Sequence, residues 1–275
     1  MRHLLTLLSI VVAGAALAQN ALVVKDQVKI VENLGGQVPL DVKFKDEEGK
    51  DVKIGDFFGK RPVALILVFY RCGGTCTKEL EEAVRSFKAM KTYDIGREFE
   101  VVTVSIHPKE GKELAQLKDD IYASTYSRPT GRAGWHFLTG NEENIRKVSE
   151  AVGFKFIYKE NDPSTRSDDI VQHPNSLIIL TPQGKISQYF NGLVYPQRLV
   201  LTALQRAAKG EIGVSDPNEP TGCVLIPSRG KYTTLVENML RVGGTLFVIG
   251  MGGAIFVMTR RSKAAAIAPK EDDSS

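Results

Sequence analysis

The most constraining stretch of the chain is Pro62 to Tyr70, PVALILVFY, nine residues with no charge and no polar interruption except the terminal tyrosine hydroxyl. A strand that faces water on one side alternates apolar with polar residues. An unbroken run of this length, rich in Val, Ile and Leu, predicts a strand buried on both faces. Both faces of a sheet must then be covered, which is the layered α/β arrangement. The run empties into Arg71-Cys72-Gly73-Gly74-Thr75-Cys76, and from Thr77 to Lys91 Leu80, Val84, Phe87 and Met90 recur at helical spacing. The sequence therefore reads strand, glycine-rich turn, amphipathic helix, with a cysteine pair at the junction.

The same pattern repeats downstream. Phe99 to Ile106 predicts a second buried strand and about Glu110 to Thr125 a helix. Trp135 to Leu138 predicts a short strand, Glu142 to Val152 a helix, and Phe154 to Tyr158 another short strand. Ser176 to Thr181 and Lys185 to Phe190 predict a hairpin around Pro182-Gln183-Gly184, and Gln197 to Lys209 a closing helix. Ahead of all this, residues 37–60 predict two short strands around a Glu48-Gly49 turn. Strands alternating with helices predict a mainly parallel central sheet.

The two ends read differently from the middle. Met1 to Asn20 has a basic start (Arg2), an apolar run and Ala16-Leu17-Ala18, the pattern of an export signal cut after Ala18. Val242 to Thr259 holds 18 uncharged residues, five of them glycine, with Arg241 before it and Arg260, Arg261 and Lys263 after it. As a helix it would reach about 27 Å, close to the hydrocarbon thickness of a bilayer. Basic residues flanking the C-terminal side predict a cytoplasmic tail, with everything ahead of the span outside. The expected organisation is signal 1–18, leader 19–36, folded domain 37–212, linker 213–240, membrane helix 241–260 and tail 261–275. Between Gln19 and Leu240 stand 30 Lys+Arg and 29 Asp+Glu. That near-neutral balance gives no electrostatic footprint for nucleic acid.

The three cysteines are too few for a disulfide-stapled scaffold or paired zinc knuckles. Thiols at a helix start meet open backbone N–H groups and the positive end of the helix dipole, both of which favour thiolate. Four residues apart, Cys72 and Cys76 would face one side of the first turn. Such a pair suits soft-metal binding or thiol–disulfide exchange; two inert core thiols are the plain alternative. Redox pairs are typically Cys-x-x-Cys, and the extra residue here leaves both sulfurs free to converge on an ion. A two-thiolate site needs a third ligand, and the histidines are the candidates for it. His173 stands in a polar loop before the strand 176–181, which could lie beside 62–70, and His107 follows the strand 99–106. Both are candidates, whereas His136, between Trp135 and Phe137, reads as a core or edge residue. Cys223 falls in the linker and is not counted as a ligand.

The quoted segments resemble the SCO/SenC proteins, copper chaperones for cytochrome c oxidase assembly. The likeness runs from about Val31 to Arg261. It includes IVENLGGQVPLDVKFKDEEGKDVKIGDFFGKRPV (30–63), VFYRCGGTC (68–76), VVTVSIHPKE (101–110), GWHFLTG (134–140) and HPNSLIILTPQGKISQYFNG (173–192). It extends to the C-terminal membrane helix of one bacterial branch. The resemblance implies a thioredoxin-like fold with an N-terminal hairpin extension. It also implies copper, Cu(I) or Cu(II), held by Cys72, Cys76 and His173, a mixed thiolate and imidazole set that suits either state. The implied partner is the copper-bearing oxidase subunit, reached from the periplasmic or extracytoplasmic face of the cell membrane. The sequence departs from the family pattern at Gly73 and Thr77, where prolines usually follow the cysteines. It departs again at Gln172, usually acidic, and at His107, usually aspartate. The competing expectation is a thiol–disulfide oxidoreductase, with Cys72 attacking, Cys76 resolving and a thiol reductant as partner. A thiol peroxidase is disfavoured, since Phe69 and Gly73 occupy the positions three before each cysteine where its threonine would stand.

Overall fold

The computed structural model describes residues 27–72, 74–160, 170–213 and 251–252. The chain divides into two compact units, Met1–Val224 and Leu225–Ser275. Of the second unit only Met251 and Gly252 are described, both helical. The expected signal, the membrane span apart from those two residues, and Cys223 all lie outside the described residues. Among the described residues no helix is long and apolar enough to cross a membrane.

In the first unit, β1 (Lys29–Ile30), β2 (Lys43–Lys45) and β3 (Asp51–Lys53) come first, followed by a 3-10 turn at Ile54–Phe57. β4 (Val63–Val68) leads into α1 (Thr75–Ala89), and β5 (Glu100–Ser105) into α2 (Lys112–Tyr126) and the single turn α3 (Gly131–Gly134). Then come β6 (Trp135–Leu138), α4 (Glu142–Ala151), β7 (Phe154–Lys155), β8 (Ile157–Lys159), β9 (Ile170–Gln172), β10 (Ser176–Leu180), β11 (Ile186–Asn191) and α5 (Gln197–Ala208). The predicted strand over 154–158 is two short strands with different partners: β7 pairs with β1, β8 with β9. The N-terminal hairpin forms as expected, Phe44 opposite Val52, and Gly49 takes the left-handed φ of +82° that its turn requires.

The central sheet has the order β11-β10-β4-β5-β6. β4, β5 and β6 are parallel, but β10 runs antiparallel to β4 and β11 antiparallel to β10. The mainly parallel sheet expected from sequence is thus a mixed one, because the late hairpin joins β4 by its antiparallel arm. β4 lies at the centre of this sheet, and all six of its residues are fully buried. Its alternation shows which layer each serves. Ala64, Ile66 and Val68 pack with Leu80 and Phe87 of α1, Tyr122 of α2 and Leu204 of α5. Val63, Leu65 and Leu67 pack with Ile145 and Val148 of α4 and with Val38, Val42 and Phe44 of the N-terminal extension. Each large side chain buried this way contributes about 1.5–3 kcal/mol, which is why an uninterrupted apolar run reads as a central strand.

Candidate metal centre

The junction after β4 is held by a carboxylate from the next crossover. Glu110, buried ahead of α2, accepts the backbone N–H of Tyr70 (2.9 Å) and Arg71 (2.7 Å) and the hydroxyl of Ser105 (2.6 Å). These bonds fix the end of the strand and the start of the cysteine turn. Thr77 Oγ1 then donates to the carbonyl of Cys72 at 2.8 Å and closes the turn across α1's first residues. The departure from proline at this place therefore brings a side-chain bond that proline cannot make.

The helix begins at Thr75, two residues earlier than its apolar spacing predicts, with Gly74 as its cap. Cys72 consequently lies in the turn ahead of the helix and only Cys76 lies within its first turn. The expectation that both face one side of a single helical turn is corrected, because the helix starts three residues after Cys72. The two thiols remain free and interact with each other. Their environments differ. Cys72 is half-buried and Cys76 only 3% exposed. Burial opposes ionisation of Cys72. Bonds from Cys76 and from the backbone N–H groups of Cys76 and Gly74, with the charge of Lys118, outweigh it and hold that thiol below its ordinary value. Burial, then the neighbouring Cys72, push the Cys76 thiol far up. The helix start thus favours one thiolate, not two.

His173 joins them from the far side of the fold. Its Nε2 lies 2.8 Å from Cys76 Sγ, across a sequence separation of 97. The ring is 6% exposed and stacks on Phe154, with centroids 5.9 Å apart. Nδ1 lies 2.7 Å from the carbonyl of Pro174, and a carbonyl only accepts, so the ring proton is assigned to Nδ1. Nε2 then carries a lone pair toward the sulfur, so the single Cys76 S–H faces two acceptors, this nitrogen and Cys72 Sγ. Burial lowers the His173 pKa, which keeps the imidazole neutral, the form that binds metals. The peptide bond before Pro174 is trans, as are all those described.

The contact is a hydrogen bond with no room for an ion between its partners. With metal–sulfur and metal–nitrogen bonds of about 2.3 and 2.0 Å, the two atoms would stand about 3.5 Å apart. Among the described residues no set of three or more His, Cys, Asp or Glu side chains is pre-arranged as a metal cage. Cys72, Cys76 and His173 are gathered in one place, with Cys76 bonded to each of the others.

The other histidines go elsewhere. His107 ends β5 as expected and is buried, its ring stacked on Phe69 (5.1 Å) and edge-on to Tyr158 (5.1 Å). Its Nδ1 accepts the N–H of Lys109 at 3.2 Å. His136 sits on the outer strand β6 beside Phe57 and Glu47, a structural place as predicted.

Sequence reasoning missed Glu79. It is 0% exposed, and accepts the backbone N–H of Ser176 (2.9 Å), the amide of Asn175 and the hydroxyl of Tyr195 (3.3 Å). Burial pushes its carboxyl up to about 8 despite those donors. The available signal was positional: 79 falls on the same helical stripe as Cys76, Leu80 and Ala83, where a charge is out of place.

The SCO1/SenC family model matches residues 36–209, well over half of the chain. The chain belongs to the SCO1/SenC family. The SCO1 protein homolog of Bacillus subtilis (strain 168) is 26% identical over 150 residues, 54% of this chain and 72% of that protein. A solved protein of Aquifex aeolicus VF5 is 25% identical, with a TM-score of 0.53 over 65% of this chain and 96% of that one. A SCO1/SenC family lipoprotein of Bacillus anthracis str. Ames shares the fold at 19% identity, with a TM-score of 0.50 over 64% and 96%. Arabidopsis thaliana ScoI has been solved with copper bound; it is 17% identical, with a TM-score of 0.49 over 63% of this chain and 99% of that one.

Proposed function

We propose that this SCO1/SenC protein is a membrane-anchored copper chaperone. It holds one copper ion by Cys72, Cys76 and His173 and delivers it to the dinuclear copper site of a cytochrome c oxidase. The observation that carries this reading is the contact of Cys76 with His173 at 2.8 Å, with Cys72 beside them. Soft thiolates select copper and an imidazole broadens the set to both oxidation states. The reaction is ligand exchange. Cys72, half-buried and with its thiol shifted toward thiolate, is the sulfur that meets an incoming or departing ion; Cys76 and His173 complete the hold inside.

The uncharged stretch 242–259 with its basic flanks supports an anchor with the folded unit on the extracytoplasmic side. Retention in the membrane pellet after carbonate extraction, together with cleavage of residues 27–213 by protease added to spheroplasts, is the expected result.

Thiol–disulfide exchange is the second reading, favoured by the unequal thiols. Cys72 thiolate would attack a client disulfide, releasing one client thiolate and forming a mixed disulfide. Cys76, after losing its proton, would attack Cys72 Sγ and release the second client thiolate. The client gains two electrons, the protein ends as the Cys72–Cys76 disulfide, and a thiol reductant must reset it.

Anaerobic copper titration of the reduced protein separates the two readings. The wild type is expected to bind one equivalent, and Cys72→Ser and His173→Ala to lose it. Disulfide exchange without copper should survive His173→Ala. Undiminished copper uptake in both variants would overturn the chaperone reading.

A further inference from the structure

Glu79 makes no hydrogen bond to either sulfur or to the imidazole, yet it bridges the elements that bring them together. It lies one helical turn, about 4.5 Å of rise, beyond Cys76 on α1. One of its oxygens accepts the N–H of Ser176, the first residue of β10, and the hydroxyl of Tyr195 ahead of α5; the other accepts the amide of Asn175. Asn175 is two residues from His173. We propose that Glu79 is the positioning residue of the site: it clamps the His173 loop onto the cysteine helix and so sets the approach of Nε2 to Cys76.

Besides these and the Cys76–His173 contact, two bonds of the same loop run to the end of β11 and the residue after it. Gly192 N–H donates to the Asn175 carbonyl (2.8 Å), and Ser176 Oγ lies 3.0 Å from Asn191 Oδ1. Burial alone gives no reason for a carboxyl at position 79. Its stripe-mates Leu80, Ala83, Val84 and Phe87 fill the core with apolar groups, and exchanging a buried polar network for apolar side chains is often neutral or stabilising. What a carboxyl adds is direction. It offers acceptors to donors from separate segments at once and thereby fixes one helix against one loop. The consequence for the metal rests on the copper reading above; the clamp itself is defined without metal.

The test uses Glu79→Met, close in volume but without acceptors, beside Glu79→Gln, whose carbonyl can still take the Ser176 N–H. Asn175 can turn its own amide to suit the Gln NH2. In the reduced, metal-free full-length protein, the nuclear Overhauser contact between the His173 ring and the Cys76 β protons is expected in wild type and Glu79→Gln. It should be lost in Glu79→Met while the far-UV spectrum stays native. With copper added, Glu79→Met should bind about 10–100-fold more weakly and lose nitrogen hyperfine structure in the Cu(II) resonance spectrum; Glu79→Gln should keep both. A Glu79→Met protein with the wild-type proton contact and affinity overturns the proposal. If Glu79→Met does not fold, Asn175→Ala, which removes one arm of the clamp, should weaken the same contact and the same affinity, and wild-type behaviour there overturns it equally. A wild type that binds no copper sinks the chaperone reading alone, since the proton contact still decides the clamp.

Discussion

Leu177 of β10 lies opposite Ile66 of β4 in an antiparallel ladder. That pairing decides where the candidate site is. Because β10 runs against β4, the loop ahead of β10 arrives at the end of β4, where the cysteines are. A parallel β10 would have carried His173 to the opposite edge of the sheet, a full strand length away from Cys76.

Alkylation should distinguish the two thiols. Cys72 is half-buried with its thiol held below the ordinary value, and Cys76 is buried with its thiol pushed far up. Limiting iodoacetamide near neutral pH is expected to label Cys72 well before Cys76 in the reduced protein, as read by peptide mass spectrometry. Labelling of Cys76 first would contradict the assigned asymmetry.

Thr77→Val keeps the shape of the side chain but removes the hydroxyl that donates to the Cys72 carbonyl. A loss of about 0.5–1.5 kcal/mol of unfolding free energy is expected, the net worth of one hydrogen bond. Urea denaturation measures it. No change would mean that the turn is held elsewhere.

Glu110→Ala removes the acceptor of two main-chain donors, Tyr70 N–H and Arg71 N–H, at the end of the central strand. Each donor left buried and unpaired costs about 1–3 kcal/mol, so this change should be more damaging than Thr77→Val. It should also speed alkylation of Cys72 by loosening the turn.

The pH dependence has a sign fixed by Glu79. Burial raises its folded pKa from 4.5 to about 8, so between those values the native state binds more protons than the unfolded chain. Its contribution is complete below the unfolded value and is lost as pH rises through the folded one, at up to about 1.4 kcal/mol per pH unit. His173 acts oppositely: burial lowers its pKa, so its contribution falls away as pH drops below the ordinary histidine value near 6.5. Denaturation of wild type and Glu79→Gln at pH 5, 6, 7 and 8 separates the two. The difference in stability between them should shift steadily against the wild type as pH rises, and a flat difference would contradict the raised carboxyl.

Much of this was legible before any coordinates. The run 62–70 announced the central strand because side chains buried on both faces leave no polar positions, and the cysteine turn followed from where that run stops. His173 was legible as a candidate beside His107, and only the geometry separates them: one ring meets a sulfur, the other packs between Phe69 and Tyr158. The orientation of β10 was not legible, since a buried apolar pentamer such as Ser176–Leu180 reads the same in either direction. Glu79 and Glu110 were missed for a related reason. A glutamate in a charged helix or loop reads as solvated until the donors facing it, all but Ser105 drawn from residues 39 to 116 positions away, are known.

The short reach between Cys76 and His173 has one more consequence. The buried Cys76 thiol keeps its proton, with the ring nitrogen 2.8 Å from the sulfur. On the copper reading proposed above, loading would displace that proton: each ion taken up would release acid to the medium, and each delivery would draw it back. On that reading the exchange should be readable with a pH electrode as well as with a metal assay.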